Sequence, residues 1–307
     1  MTNGSHSEGS IYVGMGGWAL PAFDGDFYPA NVGKGFRKLE YFSLFFDMVE
    51  VNATFYTTDL TPRQSSHWLA EVSHNKSFVF TAKLYQGFTH KMDATERDIT
   101  AIHKLLEPLV REGKFEGLVL QFAQSFRNTE ENRDHLLELS RIFKRYSLFV
   151  ELRHNSWNRE EAFQFLRKHG LQFINVDLPQ IQQHMPFTTH AWRESAYFRL
   201  MGRNATAWDR GGQHRYHYFY SEEELEEIAG RIKQVQPKVQ KTFVVFHNDP
   251  NAHSPVNGFQ LRRILNNKET IVVPSNLAAK FPQLRELGAV REVDTLSQQS
   301  KEAMLPF

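Results

Sequence analysis

The feature that most restricts how this chain can fold is a short pattern that returns along its length. An apolar run rich in β-branched and aromatic residues ends each time in polar or charged residues. Met48-Val49 ends in Glu50-Val51-Asn52, Phe78-Val79-Phe80 in Thr81-Ala82-Lys83, and Ser147-Leu148-Phe149-Val150 in Glu151-Leu152-Arg153-His154. Phe173-Ile174 leads into Asn175-Val176-Asp177, Ala196-Tyr197-Phe198 into Arg199, and Phe243-Val244-Val245-Phe246 into His247-Asn248-Asp249. Strands covered on both faces read as near-continuous apolar runs, and such strands belong to parallel sheets. The C-terminal ends of parallel strands are where α/β proteins bind ligands and carry out chemistry.

Strands are expected over residues 11–16, 48–52, 78–83, 118–122, 148–152, 172–176, 196–200 and 242–246. Helical stretches lie between them. Thr61-Pro62-Arg63-Gln64 offers a cap, a proline at the first helical position and a capping-box partner. Ile99, Ile102, Leu105 and Leu106 recur at helical spacing. Asn158 with Glu161, and Ser221 with Glu224, open two further helices, and Gly170 stops the first of these. Further helices are expected over 35–46, 131–146 and 257–265, whereas Pro179 and Pro186 weaken the one expected within 178–193. Helical crossovers make the sheet parallel, and eight strands close a barrel. The expected architecture is an α/β fold, a parallel eight-stranded (β/α)8 TIM-type barrel. An open doubly wound sheet is the alternative, but it gathers its ligand residues at one switch point, and here polar strand ends span the chain. Residues 1–10 read as a disordered leader, 11–267 as one barrel domain, and 268–307 as a partly ordered C-terminal extension with a short helix near 282–287.

Composition narrows the function classes. The 36 basic and 35 acidic residues leave a formal charge of +1, which gives no bulk attraction to nucleic acid or membrane. With no cysteine, disulfides, thiolate catalysis and cysteine-held metal centres are excluded. No run reaches the length of a membrane span and no secretory signal opens the chain, so a cytoplasmic monomer or weakly associated chain is expected. Gly14-Met15-Gly16-Gly17 lacks the third fingerprint glycine of a dinucleotide site.

Several strand ends carry a family resemblance. They are Val13-Gly14-Met15-Gly16-Gly17-Trp18, Val49 to Tyr56, Phe80 to Lys83 with Thr89-His90, Gln121-Phe122, Val150 to Trp157, Tyr197-Phe198-Arg199, Phe246 to Asp249, and Asn257. In this order they resemble the YecE-like proteins, domain-of-unknown-function family 72. The resemblance implies a (β/α)8-type barrel and a cytoplasmic setting, and brings no particular reaction with it. The chain departs from that pattern at Met201-Gly202, Ala123-Gln124 and His247-Asn248. A strand-seven histidine is therefore not carried over.

Alternation along a strand puts Glu50 with Asn52, Thr81 with Lys83, Glu151 with Arg153, and Asn175 with Asp177. With Gln121, Arg199 and Asn248 these form an expected polar ring at the barrel mouth. Glu50, Lys83, Glu151 and Asp177 are the candidate catalytic residues, as proton carriers or charge stabilisers. Trp18, Asn52, Tyr56, Gln121, Arg153, His154, Arg199 and Asn248 are the candidate binding residues, with Arg153 suited to a bidentate anion contact. The bland alternative is that Glu50–Lys83 and Glu151–Arg199 merely pair inside the barrel. Schiff-base chemistry at Lys83 rests on position alone. No short metal motif occurs, so neither a metal nor an organic cofactor is expected. The loop over 202–220, with Arg203, Arg210, Gly211-Gly212 and Arg215, suits a lid, a binding loop or a solvated surface. The leading expectation is acid–base chemistry, as a hydrolase, isomerase or lyase, on a small polar or phosphorylated metabolite. A nucleic-acid-binding or endonuclease-like barrel, and a non-catalytic binding or scaffold protein, are the alternatives.

Overall fold

The expected apolar runs all become strands. The computed structural model describes residues 9–181, 183–208 and 212–291. Its barrel strands are β1 (Ser10–Met15), β2 (Met48–Val51), β3 (Val79–Lys83), β4 (Phe115–Gln121), β5 (Leu148–Glu151), β6 (Leu171–Asp177), β7 (Ser195–Leu200) and β8 (Lys241–Phe246). Each pairs in parallel with its neighbours in chain order, and β8 pairs with β1, so the sheet closes. The fold is a (β/α)8 barrel. Of the leader expected over 1–10, residues 1–8 lie outside the described residues, and Ser10 already belongs to β1.

The crossovers contain α1 (Lys38–Ser43), α2 (Ala53–Tyr56), α3 (Pro62–Glu71), α4 (Gln86–Thr89), α5 (Glu96–Arg111), α6 (Glu130–Ile142), α7 (Glu160–Lys168), α8 (Ala205–Trp208), α9 (Glu222–Val235) and α10 (His253–Leu265). Local chemistry sets several of their ends. Thr61 with Gln64, Thr95 with Asp98, and Ser221 with Glu224 form capping boxes at the starts of α3, α5 and α9. The cap of α7 is Arg159 rather than Asn158, because Asn158 closes the preceding turn over Asn155–Trp157. Gly170, at φ +71°, lets the chain leave α7 in the left-handed conformation. On α9, Leu225, Ile228, Ala229, Ile232 and Val235 form the buried stripe.

Alternation divides the strand side chains into two sets. Tyr12, Met48, Val79, Val119, Phe149, Ile174, Tyr197, Phe243 and Val245, drawn from every strand, meet in the bore. Their neighbours, including Val13, Val49, Phe80, Leu118, Val150, Phe173, Phe198 and Val244, join the mantle between strands and helices. One irregularity resets this alternation. Phe80 faces Phe115 but Thr81 faces Gly117, so Glu116 is an extra residue in β4. Gly117 is required there, since a Cβ would lie 2.5 Å from the Ser147 carbonyl oxygen.

The segment over 178–193 forms no helix among its described residues. Asn175 supplies the reason alongside the two prolines. Its side-chain amide donates to the His190 carbonyl at 2.8 Å and accepts from the His190 N–H at 2.7 Å, which holds the segment extended. Beyond the barrel, β9 (Ile271–Pro274) and β10 (Gly288–Arg291) pair as a small parallel sheet, with α11 (Ser275–Lys280) and a short turn over Pro282–Glu286 between them. Ile271, Val273, Leu277 and Leu284 join the mantle cluster. The last part of the expected extension, 292–307, lies outside the described residues.

Candidate functional site at the barrel mouth

The alternation that sends Met48, Val79, Val119, Phe149, Tyr197 and Val245 into the bore sends the next inward residue of each strand towards its C-terminal mouth. These are Glu50, Thr81, Gln121, Glu151, Arg199 and His247, with Lys83, Arg153 and Asp249 one step further. The charged side chains expected to converge from β2, β3, β5 and β7 do so.

Arg199 is the centre. Its guanidinium donates to Glu50 Oε1 at 2.8 Å, to Glu151 Oε2 and to Gln121 Oε1 at 3.1 Å, and its Nη2 lies 2.7 Å from His247 Nε2. Tyr197 donates its hydroxyl to the other Glu50 oxygen at 2.8 Å and lies 3.0 Å from the Thr81 hydroxyl. Arg153 Nε donates to Glu151 Oε1 at 2.5 Å. Glu50, Glu151 and Arg199 are wholly buried, whereas Lys83 and Gln121 are 9% exposed and Arg153 7%. The site is therefore layered. A floor of paired charges closes the bore, and Lys83, Gln121 and Arg153 lie above it at the edge of solvent. Arg199 has no capacity left for a ligand.

Two nitrogen-bearing groups are not consumed by this pairing. Arg153 Nη2 is buried without a hydrogen-bond partner. The Lys83 Nζ makes no hydrogen bond or ion pair among the described residues and lies 5.4 Å from the centre of the Phe55 ring. The Glu50–Lys83 pair weighed as a bland alternative does not form, because Arg199, Tyr197 and His247 occupy the surroundings of Glu50.

The electrostatics follow from this geometry. Burial alone would raise the Glu50 carboxyl, but Arg199, followed by His247 and Lys83, outweighs it and holds the group well below the usual carboxylate range. Burial, with Arg199 and Lys83 adding repulsion, lowers His247 to about 3, so it is a neutral imidazole. Burial and the neighbouring Arg199 and Arg153 charges bring the Lys83 ammonium down to about 7, against the pull of Glu50 and Asp249. Burial raises the Asp249 carboxyl to about 7, against the opposing effect of Ser254 and Lys83. An amine and a carboxyl that both exchange protons near neutrality thus share one opening.

Other sequence-selected residues fall elsewhere. Ile174 faces the bore, so Asn175 and Asp177 face the mantle. Asp177 binds Arg203 Nε at 2.9 and 3.0 Å and accepts from Tyr220 at 2.7 Å, away from the charged mouth. Asn248 likewise points outward and bonds the Tyr218 carbonyl and Asn257. Asn52 shares the inward face and donates to the Gly16 carbonyl. His154 lies outside the cluster, its Nδ1 accepting the Ser156 N–H at 3.0 Å. Trp18 packs edge-on against Trp68, and Tyr56 is 68% exposed beside Phe55. Of the loop over 202–220, Arg210 and Gly211 lie outside the described residues, while Arg203 is held by Asp177.

His247, Asp249 and Tyr197 belong to the mouth but were not selected as its residues from the sequence. The usable signal was the glycine at position 16. A Cβ there would lie 2.0 Å from the His247 ring, so the bare backbone of Gly16 is what admits the imidazole. Among the described residues no group of three or more His, Asp or Glu side chains is arranged to hold a metal ion. A small surface depression on the outer side of β3, lined by Thr54, Thr57, Thr58 and Ile102 among others, shares only Lys83 with the charged cluster. No helix among the described residues is long and apolar enough to cross a membrane.

Comparison with known proteins agrees with the fold and with the family resemblance. The model of the family described as protein of unknown function DUF72 matches residues 12–283. The UPF0759 protein YunF of Bacillus subtilis is 28% identical over 286 residues, covering 87% of this chain and 99% of that protein. A crystal structure of a DUF72 family protein from Thermotoga maritima superposes with a TM-score of 0.75 at 32% identity, covering 83% of this chain and 99% of the other. A DUF72 family protein from Enterococcus faecalis superposes with a TM-score of 0.74 at 23% identity, covering 84% of this chain and 96% of the other. With the match running from β1 into the turn after α11, this chain belongs to the DUF72 family.

Proposed function

We propose that the chain is an enzyme that moves protons on a small polar or phosphorylated, anionic metabolite held over the barrel mouth. The observation that carries this reading is the division of labour in the charged cluster. Glu50, Glu151 and Arg199 satisfy one another on the floor, while Lys83 and Arg153 Nη2 are left without partners above it. In this reading Lys83 takes a proton from the substrate and Asp249 returns one, each titrating close to neutral pH where such exchange is efficient. Arg153 receives an anionic oxygen of the substrate at its free Nη2. Glu50 and Glu151, selected from the sequence as proton carriers, act here by fixing Arg199 and Arg153. Hydrolase, isomerase and lyase reactions all fit this machinery; its proposed setting is the cytoplasm, with the chain a monomer.

The reading is tested by soaking crystals in a mixed pool of phosphorylated and carboxylated metabolites, then measuring affinity for whichever molecule binds. An anionic oxygen at Arg153 Nη2 is expected. Arg153→Met should then weaken binding by about tenfold or more, the scale of one charge-assisted hydrogen bond. A ligand seated away from the mouth, or equal affinity in the variant, sinks it.

A further inference from the structure

Position alone said little about covalent chemistry at Lys83. The surroundings of its amine say more. Lysine in a folded protein ordinarily ends in water or against a carboxylate. Here the side chain is buried to all but 9% of its surface, lies over an aromatic ring, and makes no hydrogen bond or ion pair among the described residues. Two carboxylates of the cluster are already held, while Asp249 Oδ1 is buried without a hydrogen-bond partner. Glu50 is bonded by Arg199 and Tyr197, and Glu151 by Arg199 and Arg153. Two guanidinium groups add repulsion, so the neutral amine is accessible near pH 7. An uncharged amine without a hydrogen-bond partner at the edge of solvent is a nucleophile.

We propose that Lys83 captures a carbonyl carbon as a Schiff base, and that the ligand class is a small aldehyde or ketone bearing a carboxylate or phosphate that Arg153 Nη2 receives. The inference rests on the mouth reading above, narrows its substrate, and gives the Lys83 lone pair to a carbonyl carbon in place of a substrate proton. The step balances without an oxidant or reductant. The Lys83 nitrogen lone pair forms the C–N bond while the C=O π electrons move to oxygen. Nitrogen loses one proton, and the oxygen gains two in all. One of these comes from nitrogen and one from the Asp249 carboxyl, which becomes a carboxylate. The C–O bond then breaks, water leaves, and a protonated imine stays on Lys83. Asp249 suits the proton delivery because its charge and that of Lys83 act on each other. The backbone supports its placement: Asn251 and Ala252, two and three residues on, both hold left-handed φ values of 62° and 59°. Consecutive non-glycine residues in that region cost energy and turn the chain sharply just after the carboxyl.

The test uses the full chain and two carbonyl probes, pyruvate and dihydroxyacetone phosphate, with acetone as an uncharged control. Each is incubated with protein at neutral pH and quenched with borohydride, which reduces an imine to a stable secondary amine. Intact mass and peptide mapping then report the site. At least one anionic probe should give a single adduct on Lys83, at about tenfold the occupancy of any other lysine. Lys83→Arg should abolish that adduct and leave the trace labelling of surface lysines unchanged. Arg153→Met should reduce trapping of the anionic probe but not of acetone. Thermal unfolding of both variants shows whether the fold is intact. An adduct no more abundant on Lys83 than on exposed lysines, for both probes, overturns the inference. That outcome leaves the proton-transfer reading intact, because the soaking experiment detects non-covalent occupancy of the mouth and the trap does not.

Discussion

At the scale of single residues, Arg199 bears the most consequence. It is wholly buried and joins carboxylates from β2 and β5 on a third strand. A buried ion cluster contributes little net stability, but removing one member leaves uncompensated charge in a poor dielectric. Arg199→Met should therefore destabilise the fold by about 3–5 kcal/mol, measured by urea unfolding. Replacing all three charges, with Glu50→Gln and Glu151→Gln added, should recover a large part of the loss. A single variant within about 1 kcal/mol of the parent, against the scale expected for breaking a buried pair, would show that the cluster relaxes or takes in water.

At the scale of elements, the Glu116 irregularity in β4 aims Val119 into the bore and Gln121 at Arg199. Gly117→Ala would push a methyl group against the Ser147 carbonyl oxygen and the Phe149 ring. Such overpacking costs about 1–3 kcal/mol, and the variant should lower the thermal midpoint accordingly. An unchanged midpoint would show that β4 can slide. The same scale explains what was legible in advance. Period-two alternation correctly paired Glu50 with Asn52, Thr81 with Lys83, and Glu151 with Arg153, and the count of apolar runs pointed to closure. What alternation cannot do in a parallel barrel is say which of two apolar faces is inside. Phe173 and Ile174 are both fully apolar, yet one faces the mantle and the other the bore. Asp177 and Asn248 were therefore grouped with a face they do not share, and His247 and Asp249 were passed over. The missing helix within 178–193 had a different origin, since its replacement is a side-chain bond from Asn175 made across 15 residues.

At the scale of the molecule, the mouth makes stability depend on pH in a particular way. Asp249 is raised to about 7 in the fold from an ordinary 3.8, so the folded chain binds more protons between these values. Stability must then fall as pH rises from about 4 to about 7. Lys83 is lowered to about 7 from 10.5, so between these values the unfolded chain binds more protons, and stability recovers as pH rises above 7. The two groups together contribute a minimum near neutrality, with Arg199 and Glu50 as the charges around them. Thermal midpoints across pH 4–10 should show it. Asp249→Asn should flatten the acidic limb and Lys83→Met the alkaline one. A profile unchanged by both substitutions would mean that these groups are hydrated in solution and titrate normally.

The closed ring has a further consequence for how this molecule could be divided. A cut between β4 and β5 leaves Glu50 on one piece and Glu151 with Arg199 on the other. The first piece keeps Glu50 without Arg199 and Tyr197, and the second keeps Arg199 with Glu151 but without Glu50 and Gln121, so each loses partners of a group it would have to bury. Each also carries, in that unmet need, the means of recognising the other.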